Sequence, residues 1–181
     1  MYEKFGQFID GKWSPSSNNE TYEVINPATE EVLGHASKAT PADVDRALKS
    51  AEQGLEIWKK TPPWQRSYVL RKIADKLREK KDTLAEWMTL ENGKPLAEGV
   101  GETNGAADIF EWNAEETKRI FGQTIESRFK DTRVHVYYQP VGVVAALSPW
   151  NFPLILAARK ISTALAAGCS VIIKPDTITP G

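Results

Sequence analysis

The chain contains a single cysteine, Cys169. That excludes an internal disulfide framework and any clustered thiolate metal site. The two histidines, His35 and His135, are far apart in sequence with no ligand spacing, and both read as surface residues. No uninterrupted apolar run approaches the roughly 18 residues that a membrane span needs. The opening stretch MYEKFGQFIDGKW has no apolar core behind a basic segment, so no secretory signal is read there. An excess of one charge is also missing. Lys and Arg number 23 and Asp and Glu 24, for a net charge of −1, which leaves no basic footprint for nucleic acid or a membrane surface. The expectation is a reduced, soluble, cytoplasmic protein with no nucleic-acid or membrane partner and no metal. Asn19-Glu20-Thr21 forms a sequon, read as chance without an export signal.

A dinucleotide-binding glycine fingerprint is absent too. Gly99-Val100-Gly101-Glu102-Thr103-Asn104-Gly105 nearly matches G-x-G-x-x-G, but Asn104 stands where the third glycine belongs. The stretch also lies inside a helical pattern with no strand before it, so it is rejected as a phosphate loop. Cys169 follows a helix stop and precedes an apolar strand, with no histidine or acid close in sequence. A small buried hydrophobe describes it better than a nucleophile.

What is present is ordinary globular composition, 41% hydrophobic and 26% charged over 181 residues, with six tryptophans. Residues 5–25 read as short strands, with Asp10-Gly11 as a tight turn. Thr40 as N-cap, Pro41 at the first helical position and Asp43 as capping-box partner open a helix carrying Val44, Ala47, Leu48, Ala51, Leu55 and Trp58 at helical spacing. Pro62-Pro63 breaks the chain. A second helix shows Leu70, Ile73, Ala74 and Leu77 on one face, and Thr83 with Glu86 is expected to cap a third that ends by Asn92-Gly93. A longer helical pattern runs from Pro95 to about Gly122. Then Val134, Val136 and Tyr138 alternate with Arg133, His135 and Tyr137, which predicts a half-exposed strand in a hairpin arm.

The apolar VGVVAAL predicts a strand buried on both faces. The helix LILAARKISTALAAG follows, with Pro153 near its first turn and Gly168 as its stop, and then the strand SVIIK. The short connections demand a parallel crossover, the start of a doubly wound, Rossmann-like α/β sheet. Two parallel strands leave faces and edges uncovered, so this segment is expected to be the front part of a larger protein. The expected division is 1–122 for N-terminal strands and helices of a cofactor-binding domain, 123–140 for a β arm, and 141–181 for its first, incomplete β-α-β unit.

Chemistry concentrates beyond the carboxyl ends of the two strands, where such sheets bind ligands. Ser148-Pro149-Trp150-Asn151 leaves the first strand as a rigid turn into a helix N-terminus. Asn151 would place a neutral amide donor beside backbone N–H groups and the positive helix end, suited to a developing oxyanion. A proline-bounded turn around a buried tryptophan fits the same pattern, and the sequence leaves both open. Lys174-Pro175-Asp176-Thr177 ends the second strand where a dinucleotide fold meets the adenosine ribose; a solvated strand-end lysine is the alternative there.

These stretches, in this order and spacing, resemble the N-terminal part of the NAD(P)-dependent aldehyde dehydrogenase superfamily: FIDGKW, INPATEEVLG, LENGKPLAE, PVGVVAALSPWNFPL and ALAAGCSVIIKPDTITPG. The resemblance implies a cysteine that attacks the aldehyde, hydride transfer to a nicotinamide, and a thioester hydrolysed with help from a glutamate. It implies that Asn151 is the side-chain oxyanion donor, that Ser148, Pro149, Trp150 and Asn151 border the cofactor, and that Lys174, Pro175, Asp176 and Thr177 hold the adenosine ribose. It places the family's cysteine and glutamate downstream of the lysine-proline motif, beyond Gly181, and gives Cys169 no nucleophilic role. EWNAEETKRIFGQTI, MTLENGKPLAE and ARK are similar to the succinate-semialdehyde dehydrogenase branch, in which Arg159 would bind a substrate carboxylate. Thr177 stands where NAD-preferring members often have glutamate, and Asp176 restores a charge nearby; NADP is slightly favoured over NAD. The full-length protein is expected to be a homo-oligomer acting on a small aldehyde. A non-catalytic remnant that binds nucleotide weakly or pairs with homologous subunits is the alternative.

Overall fold

The computed structural model describes residues 6–181, so Phe5 of the expected strand region and the first five residues of the leader reading lie outside the described residues. β1 (Gln7–Ile9) and β2 (Lys12–Ser14) form an antiparallel hairpin. Asp10 and Gly11 both take positive φ, 53° and 71°, the geometry that a two-residue hairpin turn requires. A second hairpin joins β3 (Thr21–Ile25) to β4 (Val32–Ser37). The sequence reading had no counterpart for β4.

α1 (Pro41–Trp58) begins as the sequence predicts. The Thr40 hydroxyl accepts the Asp43 N–H, and the Asp43 carboxylate accepts the Thr40 N–H at 3.0 Å. Asp43 does more than cap. It is buried and also accepts the Ser17 N–H at 3.1 Å, which pins the N-terminal hairpins to α1. Val44 and Leu48 of the expected apolar face are nevertheless exposed.

α2 (Pro63–Glu79) and α3 (Lys81–Asn92) are separated by Lys80 alone. The expected Thr83 cap is therefore incorrect, because Thr83 lies inside α3. No cap is needed at the junction. The Lys80 N–H bonds to the Lys76 carbonyl, and the Lys80 carbonyl receives the Leu84 N–H. Gly93 closes α3 in the left-handed conformation, as expected. α4 (Leu96–Glu116) is followed by a 3-10 turn, Thr117–Arg119, so the helical pattern stops short of Gly122.

The main core lies between α2, α4 and α5 (Pro153–Ala166). Leu70, Ala74, Ala106, Ala107, Phe110 and Ala158 are buried there. Two of the glycines rejected as a phosphate loop, Gly99 and Gly105, let α4 pack closely on its neighbours. A Cβ on Gly99 would stand 3.0 Å from the Ala85 backbone, and one on Gly105 3.0 Å from Ile155.

β5 (Gln123–Glu126) and β6 (Arg133–Val136) form the expected hairpin, but the half-exposed alternation is not met: Val134 and Tyr138 are exposed and the strand ends at Val136. β7 (Val143–Leu147) and β8 (Ser170–Lys174) pair in parallel across α5. α1 and α5 both pack against this sheet. The expectation that the first of these strands is buried on both faces is not met. Ala146 is its one buried residue and Leu147 is 64% exposed, because a strand paired on one edge shields little of its own surface.

Candidate functional site

The parallel register sets Leu147 opposite Lys174, and the Ser148 N–H donates to the Lys174 carbonyl at 3.1 Å. The two stretches singled out in the sequence thus leave the sheet side by side at its carboxyl edge. In an open α/β sheet that edge is where a ligand crevice forms.

The turn from Ser148 to Phe152 has few backbone partners of its own, and side chains hold it. The Ser148 hydroxyl donates to the Pro153 carbonyl at 2.8 Å, closing the turn on itself. Asn92, the last residue of α3, donates its amide to the Trp150 carbonyl at 2.7 Å. Lys94 donates to the Asn151 carbonyl at 3.1 Å and stands 4.5 Å over the Phe152 ring. The same ammonium forms an ion pair with Glu102 of α4, and both side chains are almost entirely buried. Glu102 then reaches the next helix. Its second oxygen accepts the Leu154 and Ile155 N–H groups at 2.9 and 3.1 Å. Phe152 gives α5 no side-chain cap, so a carboxylate from α4 serves its first turn instead.

These bonds bear on the expectation that Asn151 lies beside backbone N–H groups at a positive helix end. Two of those groups are already bonded, and Glu102 offsets the local positive potential. The Asn151 side chain itself is exposed and accepts or donates no hydrogen bond among the described residues. Trp150 is 51% exposed, so it is not the buried anchor that a purely structural turn would need.

Across the edge, Lys174 is exposed and has no ion pair among the described residues. Pro175 and Asp176 are half-buried and Thr177 is exposed. The Asp176 carboxylate accepts the Ile178 N–H at 3.1 Å, turned back on its own loop. Burial, followed by the negative charge of Asp176, pushes the Tyr22 phenol up, so the β3–β4 hairpin also borders this edge. Arg159 is exposed on α5; its carbonyl accepts the Thr163 hydroxyl at 2.7 Å, and its guanidinium has no ion pair among the described residues. Cys169 is buried, while His35 and His135 are exposed, as the sequence predicts.

The sequence reading missed Asn92, Lys94 and Glu102 as site residues. Two of them, Asn92 and Lys94, lie in LENGKPLAE, where their partners, 58 and 57 residues further on, are invisible. A charged residue at a position that helical periodicity assigns to the core, as Glu102 is, was the available signal.

A parallel strand–helix–strand unit with both functional loops at its carboxyl edge is the Rossmann type of α/β fold. The aldehyde dehydrogenase family matches residues 13–181, and the chain belongs to that family. It is 44% identical over 173 residues to a glutarate-semialdehyde dehydrogenase of Pseudomonas aeruginosa, covering 96% of this chain and 36% of that protein. It is 43% identical to the NADP(+) succinate-semialdehyde dehydrogenase of Escherichia coli, covering 95% of this chain and 36% of that one. Among solved structures, an Escherichia coli NADP-dependent enzyme superposes with a TM-score of 0.94 at 43% identity, covering 95% of this chain and 36% of that one. Betaine aldehyde dehydrogenase of Staphylococcus aureus, in complex with NAD+, superposes with a TM-score of 0.94 at 37% identity, covering 98% of this chain and 36% of that one. The chain thus spans about a third of the length of these relatives.

Proposed function

We propose that this chain forms the first part of the cofactor-binding region of an aldehyde dehydrogenase that oxidises a carboxylated semialdehyde, succinate semialdehyde or one similar, to the acid with NADP+ or NAD+. The single observation that carries this reading is the Ser148–Lys174 bond, which joins the amide-bearing turn and the lysine motif at one sheet edge. The turn residues Ser148, Pro149, Trp150 and Asn151 then line the cofactor, and Lys174, Pro175, Asp176 and Thr177 receive its adenosine ribose.

The residues present fit such a cofactor. An exposed lysine without a carboxylate partner among the described residues can donate to ribose hydroxyls or meet a 2′-phosphate. Thr177 adds no repelling charge, which favours NADP slightly, while the Asp176 carboxylate, turned back onto the Ile178 N–H, keeps a negative charge nearby. A bound nicotinamide would supply the hydride acceptor for the oxidation. The protein's own contribution is the Asn151 amide. It donates to the oxygen of the aldehyde as negative charge develops there, a neutral donor with no proton to lose at working pH. Arg159 offers a guanidinium fork for the substrate's distal carboxylate. The exposed β5–β6 hairpin, with Tyr137 and Tyr138 beyond it, is read as a contact between subunits.

The test is steady-state kinetics of the enzyme carrying this segment. Succinate semialdehyde, glutarate semialdehyde and propanal are each assayed with NADP+ and with NAD+. A carboxylated substrate should exceed propanal by about 10-fold or more in kcat/KM, the scale of one charge-assisted contact. NADP+ should exceed NAD+. Equal rates with propanal would remove the substrate assignment, and no aldehyde oxidation at all would remove the whole reading.

A further inference from the structure

We propose that Asn92, Lys94 and Glu102 are positioning residues for the 148–152 turn, a function distinct from holding the helices together. The inference rests on the reading of Asn151 as an oxyanion donor. Its starting point is that the Lys94–Glu102 pair is buried, with side chains 6% and 1% exposed. A buried ion pair is seldom the most stable choice for such a place, since apolar side chains of similar volume do as well or better. Its presence calls for a use that apolar groups could not supply.

The geometry supplies that use. Lys94 has three donor directions, and they meet Glu102, the Asn151 carbonyl and the face of Phe152. Glu102 divides its oxygens between Lys94 and the Leu154 and Ile155 N–H groups. Asn92 adds the Trp150 carbonyl. Four polar groups of the turn and its helix entry, the Trp150 and Asn151 carbonyls and the Leu154 and Ile155 N–H groups, are thus fixed by one short segment, Asn92 to Glu102. The Asn151 side chain is left with no tether of its own, so its aim is set by its backbone. That backbone is held by Lys94. A loss of about 1 Å in such an aim lowers turnover by about 10²-fold.

Three variants of the enzyme carrying this segment test the inference: Asn92→Ala, which touches only the exposed tether, Glu102→Gln, and the paired Lys94→Met/Glu102→Met, which removes both charges together. Each is made alone and combined with Asn151→Ala, and each fold is followed by circular dichroism. Turnover should fall by about 10–10²-fold in Glu102→Gln and the paired variant, and less in Asn92→Ala, with cofactor KM changed far less than kcat. In the Asn151→Ala background the same changes should cost almost nothing further, because their effect runs through Asn151. Amide hydrogen exchange at residues 148–155 should rise in all three. Unchanged turnover in a folded variant overturns the proposal, as does a loss that adds in full to that of Asn151→Ala. If the paired variant does not fold, Asn92→Ala decides by the same criteria. If Asn151→Ala itself leaves turnover unchanged while exchange rises in the three variants, the oxyanion reading has failed and the tether survives as geometry alone.

Discussion

The Ser148 N–H and the Lys174 carbonyl are bonded at 3.1 Å, one residue past the last rung of the β7–β8 ladder. Through this bond the two loops that leave the sheet are held at a common height. The edge between Asn151 and Lys174 is therefore one fixed surface rather than two independent loops.

Replacing Asn151 tests the oxyanion role proposed for that edge. Asn151→Ala should lower kcat by about 10²–10³-fold, the scale of losing one oxyanion donor, with cofactor KM little changed. Its side chain has no other partner among the described residues, so the melting temperature should stay near that of the parent. Steady-state assays on the enzyme read the first, and a thermal melt followed by circular dichroism reads the second.

Arg159→Ala tests substrate choice. KM for succinate semialdehyde should rise by about 10–10²-fold while that for propanal barely moves. An equal change for both substrates would detach Arg159 from the carboxylate.

Two glycines should respond in opposite directions. Gly168 has φ +89°, and a Cβ there would stand 2.9 Å from Arg66 Nη1 and 3.0 Å from Pro140 Cγ. Arg66 is buried and bonded to the Thr61 carbonyl at 3.2 Å, which limits how far it can give way. Gly168→Ala should cost about 1–3 kcal/mol. Gly101 lies within α4 with nothing inside 4 Å of the added Cβ, so Gly101→Ala should gain about 0.5–1 kcal/mol. Urea unfolding distinguishes the two signs.

Stability should depend on pH from two sides. The Thr40 N–H above all holds the Asp43 carboxyl well below the usual range, against the opposing effect of burial and with further help from the Ser17 N–H. A carboxyl lowered on folding stabilises the fold above its unfolded pKa of about 4 and loses that contribution as pH falls toward the folded value. Asp43→Ala should therefore flatten the acid limb of a Tm-against-pH curve. Glu91 behaves oppositely. Desolvation pushes its carboxyl up to about 7, opposed by the Gly181 N–H. Its contribution is full below about pH 4 and is lost as pH rises through 7. The Tm of Glu91→Gln relative to the parent should climb between about pH 5 and pH 8. A flat difference would show that the carboxyl is not desolvated.

Local signals were legible where the physics is local. Thr40 and Asp43 satisfy each other within one helical turn, and Asp10-Gly11 adopts its turn without outside help. Gly93 and Gly168 take positive φ because little else can. Thr83 misled for the same reason: a capping pattern was present, but Lys80 let one helix lead directly into the next. β4 was missed because Val32 to Ser37 includes Gly34 and His35 and is a strand only through its pairing with β3.

The sequence by itself determined the helices, the parallel crossover and the two stretches that bear chemistry, because spacing, caps and chain length constrain each of them. Only the tertiary structure decided that those stretches meet at one edge and that Asn92, Lys94 and Glu102 hold one of them in place. Those bonds link residues about fifty positions apart, and no periodicity in a linear chain encodes which buried charge finds which distant carbonyl.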